Sequence, residues 1–217
     1  IGPNTAAIML EPIQGENGVV LPPEGYLSAV SQLCRENNIL FIADEIQTGL
    51  GRTGKWLACQ HEGVRPDMVC LGKALSGGML PVSVVLADAP IMNLFKPGEH
   101  GSTFGGSPMA SAVAIAALEV LDEEKLAERA VELGAYFMEK LRAIKSKKIK
   151  EVRGKGLLIG VELYPSAGGA RKYCEELQKL GILCKETHDH VIRFAPPLII
   201  EKKTIDWALK RIARVLK

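Results

Sequence analysis

The first half of the chain alternates short apolar runs with one amphipathic stretch. The apolar runs are rich in β-branched residues and predict four buried strands, at residues 5–10, 39–44, 68–71 and 82–87. Between the first two runs, Leu27, Val30 and Cys34 recur at helical spacing, so we predict a helix that begins near Pro23 and ends at Asn37. Strands that alternate with helices indicate an α/β fold with a mainly parallel sheet.

From about residue 108 the pattern changes to that of an α+β unit. Apolar spacing predicts helices at 110–121, 122–145, 170–180 and from 201 onwards, and strands at 157–163, 183–186 and 191–194. The basic run at residues 145–150 is interpreted as a helix end followed by a loop. We place the boundary between two predicted domains, 1–122 and 123–217, inside the helical stretch.

Two charged side chains follow predicted strands and are expected at the same edge of the sheet. Asp44 is the last residue of the run 39–44. Lys73 comes two residues after the run 68–71, directly following Gly72. Ligands of open α/β sheets bind outside the carboxyl ends of the strands, where both residues would lie. An Asp and a Lys are the two groups that a protein supplies to pyridoxal phosphate: the lysine forms a Schiff base, and the aspartate keeps the pyridine nitrogen protonated.

The same pair has other interpretations. A structural salt bridge at a strand end would use the same two charges and stays open from the spacing alone. A phosphate-binding P-loop is excluded, because that motif needs Gly at position 67 and Ser or Thr at position 74, where the chain has Asp67 and Ala74. Glu45 would point to the opposite face of its strand and is predicted to be structural.

Four segments carry a resemblance to a known family: residues 11–16, 43–54, 97–106 and 193–197. With them, the chain resembles the class III (subgroup II) aminotransferases from about residue 5 to its end. The resemblance implies a fold-type I architecture. Residues 1–122 would form the latter part of the large domain that binds pyridoxal phosphate, and residues 123–217 the C-terminal small domain. It also implies that a comparable length of chain precedes residue 1 and completes the sheet.

The resemblance assigns further residues to the cofactor, beside the catalytic lysine and aspartate. Gln47 would approach the phenolic oxygen of the cofactor, and Ile46 would pack against the face of its ring. Thr103, with Ser102 beside it, would reach the cofactor phosphate of the other subunit, so that the active site is assembled in a homodimer. From the residues alone, the first two would be ordinary turn residues and the last two part of an ordinary glycine-rich loop.

Arg193 lies on a predicted apolar strand, where a charged side chain needs a counter-ion. A structural ion pair is one interpretation. The resemblance implies another, in which Arg193 binds a substrate α-carboxylate in a bidentate manner and pairs with Glu16 when no carboxylate is present. His188 and His190 lie nearby in sequence, but no third ligand accompanies them, and no metal site is predicted.

The branch of the family that acts on ornithine is the most similar, and the resemblance therefore implies a δ-transamination. The terminal amine of ornithine would pass to the cofactor and then to 2-oxoglutarate, giving glutamate-5-semialdehyde and glutamate. Enzymes that act on acetylornithine or other ω-amino acids share much of the motif set and remain an alternative. So do an aminomutase reaction and an inactive, dimerising fragment, because an N-terminal part would carry the glycine-rich phosphate site.

The composition of the chain limits the kinds of partner and the cellular compartment that we expect for it. The chain has 217 residues, of which 47% are hydrophobic and 24% charged, as is ordinary for a globular protein. A net charge of +2 is too small to indicate binding to nucleic acid or to a membrane surface. The five cysteines are odd in number and never spaced as C-x-x-C, which suits the reducing cytoplasm better than a disulfide framework.

Overall fold

The computed structural model describes all 217 residues and divides them into two compact units. Unit 1 comprises Ile1–Pro12, Pro22–Leu50 and Leu57–Glu124. Unit 2 comprises Ile13–Leu21, Gly51–Trp56 and Lys125–Lys217. Two short segments of the first half of the chain therefore belong to the unit that is otherwise built from the second half.

Unit 1 contains the predicted mainly parallel sheet. Its elements are β1 (Ala7–Leu10), α1 (Tyr26–Glu36), β2 (Leu40–Asp44), β3 (Met68–Leu71), β4 (Val84–Ala87), α2 (Ala89–Met92) and α3 (Pro108–Glu123). The strand order is β1-β2-β3-β4, with the first two pairings parallel and β4 antiparallel to β3. The positions of the four strands and of the two long helices confirm the sequence prediction. The expected burial was wrong for β1 and β4, in which no residue is buried, and the short α2 was not predicted.

Helix α1 forms because its apolar residues share one face and its ends have clear stop signals. Gly25 precedes the helix with φ +80°, and Asn38, with φ +51°, follows it. The apolar face packs against β2 in a small core, whose buried members are Leu27, Cys34, Ile39, Phe41, Ala43 and Cys59. This packing fixes β2, and with it the position of the polar residues that follow the strand.

Unit 2 is an antiparallel sheet covered by three helices. Its elements are α4 (Leu126–Arg142), β5 (Ile149–Lys155), β6 (Leu158–Leu163), α5 (Arg171–Lys179), β7 (Lys185–Thr187), β8 (Val191–Phe194) and α6 (Lys202–Leu216). The strand order is β5-β6-β8-β7. A core of 20 buried residues, including Phe137, Ile159, Leu177, Ile192 and Ile212, joins the helices to the sheet.

The interpretation of residues 145–150 as a helix end and loop was wrong in part, because β5 begins at Ile149. The strand lies at the edge of its sheet, and Lys150 pairs there with Glu162 on β6, with Nζ and Oε1 2.5 Å apart. Charged side chains are usual on edge strands because they discourage pairing with a second molecule. The charges that suggested a loop thus belong to an edge strand. No helix of the structure has the length and apolar character to cross a bilayer.

Candidate active site

In unit 1, β2 and β3 end side by side and present their polar residues at one edge of the sheet. Asp44 is the register partner of Cys70, and the N–H of Glu45 donates to the Cys70 carbonyl at 3.0 Å. The Asp44 carboxylate is half-buried, and its Oδ1 accepts the N–H of Ile46 at 3.1 Å. This contact turns the chain away from the strand and fixes the carboxylate at the sheet edge.

Lys73 follows β3 in an unusual backbone conformation. It starts a short 3₁₀ helix, Lys73–Ser76, with φ +44°, a left-handed conformation that costs free energy in any residue other than glycine. Its side chain is exposed. A Cβ atom added to Gly72 would lie 3.6 Å from Cγ2 of Ile46, so the two strand ends are close together. Strained residues of this kind concentrate at functional sites, which supports a special role for Lys73.

Glu45 has the structural role that the sequence predicts. Its side chain is buried, where Oε2 accepts the hydroxyl of Thr48 and Oε1 accepts the N–H of Cys59 at 2.9 Å. Burial also raises the pKa of the Cys59 thiol, with the Glu45 charge acting in the same direction, so this thiol stays protonated. The turn that Glu45 stabilises carries Ile46 and Gln47, both half-buried.

Ser102 and Thr103 lie in the exposed connection between α2 and α3. Both side chains are exposed, and the Ser102 carbonyl accepts the N–H of Gly105 at 3.2 Å in a tight turn. Helix α3 begins five residues after Thr103, where the Ser107 hydroxyl accepts the N–H of Ala110. The hydroxyls are therefore held on the surface of unit 1 immediately ahead of a helix.

In unit 2, Arg193 and Glu16 form the ion pair that the resemblance implies. Nη1 of Arg193 lies 2.7 Å from Oε1 of Glu16. The arginine side chain, on β8, is 15% exposed and the glutamate side chain 53%. The hydrogen bond from Arg193 is the main cause that holds the pKa of the Glu16 carboxyl below its ordinary value, with Lys185 adding to the effect.

Lys185 is a member of this cluster that the sequence did not reveal. Its Nζ lies 3.2 Å from Oε2 of Glu16, so the carboxylate bridges two cations. Lys185, on β7, is the register partner of Arg193 on β8. The available signal was the tight connection at residues 188–190, since a hairpin centred on Asp189 places these two residues opposite each other.

The loop that carries Glu16 is fastened to the sheet of unit 2. Gln14 and Val20 pair across the loop, and Val19 is fully buried against Leu158 and Ile13. Val19 also has φ +53°, which is rare for a β-branched residue. A side chain so constrained indicates that the surrounding packing dictates the conformation of this loop, and hence where Glu16 emerges.

Arg153 of β5 provides a second anchor for the same loop. Its Nη2 donates to the Gly18 carbonyl at 2.6 Å, and its Nε donates to the Val19 carbonyl at 3.0 Å. Its Nη1 pairs with the carboxylates of Glu151 and Glu162. One guanidinium thus ties the loop to the two strands at the edge of the sheet.

Arg52 similarly stabilises the chain just after Arg193. Its Nη1 donates to the carbonyls of Pro196, at 2.6 Å, and Leu157, at 3.1 Å. Burial lowers the pKa of the Arg52 guanidinium to about 10, a value at which it still carries its charge near neutral pH. This arginine connects the turn between β5 and β6 to the segment that follows β8, and sequence reasoning did not identify it.

The structure contains no group of three or more His, Cys, Asp or Glu side chains arranged to hold a metal ion. His188 has φ +48° in the connection between β7 and β8, and Nδ1 of His190 is buried. Both residues lie in the connection that brings Lys185 opposite Arg193.

Comparison with known proteins identifies the family. The model of the family described as aminotransferase class-III matches residues 1–216. The chain is 61% identical over 217 residues to ornithine aminotransferase of Bacillus subtilis (strain 168), covering all of this chain and 53% of that protein. It is 59% identical over 217 residues to ornithine aminotransferase 2 of Staphylococcus aureus (strain Mu50 / ATCC 700699), covering 54% of it. The chain thus spans about half the length of the curated relatives it matches.

Solved structures agree with this assignment. An ornithine aminotransferase from Toxoplasma gondii, described with partial occupancy of pyridoxal phosphate at its active site, superposes with a TM-score of 0.95 at 50% identity, covering 99% of this chain and 51% of that one. An acetylornithine aminotransferase from Elizabethkingia anophelis superposes with a TM-score of 0.91, also at 50% identity, covering 97% and 56%. The fold is therefore that of the fold-type I transferases. The chain belongs to the class III aminotransferases, a family that depends on pyridoxal phosphate.

Proposed function

We propose that this chain is part of an ornithine δ-aminotransferase, which transfers the δ-amino group of ornithine to 2-oxoglutarate and gives glutamate-5-semialdehyde and glutamate. The observation that carries the proposal is the Glu16–Arg193 pair, at 2.7 Å, in a chain 61% identical to an ornithine aminotransferase. We also propose that residues 1–122, except for the two segments 13–21 and 51–56 that belong to unit 2, form part of the domain that binds the cofactor, and that residues 123–217 form the small C-terminal domain.

The residues at the sheet edge of unit 1 fit pyridoxal phosphate by their chemistry. A half-buried carboxylate, Asp44, and an amine, Lys73, follow adjacent strands, as an anion for the ring nitrogen and an attachment point require. When bound, the cofactor supplies an electron sink for the carbon that loses a proton. Asp44 holds the proton on the ring nitrogen, and Lys73 moves the proton at the δ-carbon of ornithine. Ile46 and Gln47, both half-buried in the turn after β2, would hold the cofactor by packing against its ring and by a hydrogen bond to its phenolic oxygen.

The exposed hydroxyls of Ser102 and Thr103 are assigned to a cofactor phosphate. Both lie in a glycine-rich segment ahead of α3, and both are exposed in this chain. Hydroxyls and backbone N–H groups in such a segment are suited to bind a phosphate. We propose that they serve the phosphate of a second subunit and that the enzyme is a homodimer.

Arg193 and Glu16 are assigned to substrate selection. Glutamate carries an α-carboxylate beside its reacting carbon, and Arg193 binds that carboxylate with two parallel hydrogen bonds. Ornithine has no carboxylate beside its δ-carbon. Paired with Glu16, Arg193 then attracts the α-carboxylate end of ornithine less, so the δ-amine is presented instead. The pair must be nearly balanced, because a partly buried ion pair offsets its desolvation only with good geometry.

Single-turnover half-reactions of the native enzyme with each amino acid test this assignment. Glu16→Ala should accelerate the reaction with glutamate and slow the reaction with ornithine, shifting the preference by about 1–3 kcal/mol, the usual contribution of a charged hydrogen bond. Glu201→Ala is the matched control, since Glu201 also pairs with a lysine, Lys203, at 2.5 Å in unit 2. Equal scaling of both half-reactions by Glu16→Ala would show that Glu16 is only structural.

The same preparation distinguishes the substrates. Ornithine and N-acetylornithine are compared as amino donors, with 2-oxoglutarate as acceptor and product identification in each case. Ornithine should react faster by at least the tenfold that one well-placed polar contact gives. A preference for N-acetylornithine would reassign the chain within its family, and product formation that does not need 2-oxoglutarate would indicate an aminomutase.

We place the enzyme in the cytoplasm, without nucleic acid or membrane partners. The five cysteines are all free, as is usual in a reducing compartment. The net charge of +2 offers little attraction for a polyanion. Fractionation of the native cells and salt-dependent binding to DNA test these two assignments separately.

A further inference from the structure

We propose that Lys185 determines specificity, by holding the Glu16 carboxylate while a substrate α-carboxylate occupies Arg193. The proposal rests on the transaminase function and deepens it. It gives Glu16 a second defined partner, so that the arginine is exchanged between two carboxylates without releasing the glutamate into solvent.

The geometry of the Glu16 carboxylate supports this division. Oε1 faces Arg193 at 2.7 Å, and Oε2 faces Lys185 at 3.2 Å. Each oxygen therefore serves one cation, and the bond to Arg193 can break while the bond to Lys185 persists. The lysine side chain is 59% exposed and the arginine side chain 15%, so the lysine can follow a rotating carboxylate, whereas the arginine stays in place.

The strand register, and not the choice of side-chain rotamers alone, brings the two cations next to each other. Lys185 and Arg193 are direct partners across β7 and β8, and directly paired residues project to the same face of a sheet. Two cations in such a position repel each other unless an anion lies between them, and Glu16 is that anion. The loop of Glu16 is anchored through Val19 and Arg153, so exchange of partners requires only rotation of the glutamate side chain.

The balance of charge gives the direction of the effect. With Lys185, the cluster of two cations and Glu16 carries +1, and an arriving α-carboxylate brings it to zero. Without Lys185, the cluster is neutral, and the same arrival leaves two carboxylates on one guanidinium. Lys185 therefore favours the state in which a substrate α-carboxylate is bound, and it does little for ornithine, which leaves the Glu16–Arg193 pair intact.

The test uses the native enzyme with Lys185→Met. The half-reaction with glutamate should lose roughly three- to fivefold in kcat/KM, the upper part of the range for an exposed ion pair, and the loss should lie in KM. The half-reaction with ornithine should change by less than about twofold, the size of an unrelated surface charge. Lys185→Arg should restore the glutamate reaction, and calorimetric binding of 2-oxoglutarate should weaken by the same factor in Lys185→Met.

Two comparisons make the outcome decisive. Lys203→Met removes another ion-paired lysine of unit 2 and should leave both half-reactions unchanged. In a Glu16→Gln background, the effect of Lys185→Met should largely disappear. An effect of undiminished size there would mean that Lys185 attracts the carboxylate directly, and no effect in the native background would remove its role altogether. Either result would leave the response to Glu16→Ala standing, so failure of this inference is distinguishable from failure of the proposed function.

Discussion

Gly134, in the middle of α4, is expected to be irreplaceable although helix propensity argues otherwise. An alanine in a helix interior is about 1 kcal/mol more favourable than glycine. However, a Cβ atom built on Gly134 would lie 2.0 Å from the carbonyl oxygen of Gly156, 2.3 Å from its carbonyl carbon and 2.8 Å from its Cα. Helix α4 and the turn between β5 and β6 thus touch through their backbones, and local propensity and packing predict opposite signs.

The size of the destabilisation by Gly134→Ala depends on which atoms can move to relieve the overlap. The contacted atoms are backbone, so no change of rotamer relieves them. Gly156 cannot retreat, since a Cβ built on it would lie 2.6 Å from the Arg52 carbonyl oxygen and 2.6 Å from the Thr53 carbonyl carbon. The helix must then shift by about 1 Å, and overpacking of this kind costs about 1–3 kcal/mol or more. We expect Gly134→Ala to lower the free energy of unfolding by about 3 kcal/mol, with a fall in Tm of roughly 6–12 °C.

Denaturant and thermal unfolding of the native protein measure this change. The matched control is Ala135→Gly, the reverse substitution at the next, exposed position of α4, which should cost only the propensity difference of about 1 kcal/mol. If Gly134→Ala proved as stable as the native protein, the close approach of α4 to the β5–β6 turn would be refuted. A loss no larger than that of Ala135→Gly would equally contradict the packing argument.

Three further predictions concern the site. Borohydride reduction of the enzyme with its cofactor should give an adduct that peptide mapping places on Lys73, and Lys73→Ala should lose turnover by several orders of magnitude; an adduct on another lysine would disprove the assignment. Asp44→Asn should keep the fold but slow both half-reactions by a large factor, because the ring nitrogen loses its anionic partner; unchanged single-turnover rates would contradict this role. The pKa of Glu16 is lowered in the folded chain, so the Glu16–Arg193 pair should stabilise the protein above the unfolded carboxyl pKa and lose that effect as the pH falls through the folded pKa. A carboxyl titration by NMR checks this, and an ordinary or raised pKa would be inconsistent with the pairing.

The sequence predicted the positions in the fold of those candidate residues that depend on local pattern. Asp44 and Lys73 follow apolar runs whose length and β-branched content define strands, and parallel strands must end at a common edge. The Glu16–Arg193 pair came from the family resemblance, and the structure contains it. In these cases the residues near in sequence, or the motif, determine the position of the side chain.

The parts that the sequence did not predict depend on contacts between distant residues. Arg52 donates to backbone carbonyls 105 and 144 positions away. Every residue has a backbone carbonyl, so the residue type does not show which carbonyls will accept such a bond. The position of Lys185 next to Arg193 depends on the register between β7 and β8. A shift of one residue would turn the lysine side chain to the opposite face of the sheet. Strand β5 as a whole was not predicted, because the charges of an edge strand resemble those of a loop. Each of these features is a property of the sheet of unit 2, which forms only once its strands are paired.

The loop of Glu16 is synthesised long before the residues that it contacts in the folded protein. Glu16 and Arg193 are 177 positions apart, so at roughly 5–20 residues per second the arginine is added about 10–35 s after the glutamate. For most of that interval Leu158 has not been synthesised, so Ile13 and Val19 cannot pack against it. The apolar side chains of Ile13 and Val19 therefore remain without this partner while the rest of the chain is being synthesised. Slow translation between these positions would lengthen its exposure to aggregation and to chaperones, although the finished protein would be the same.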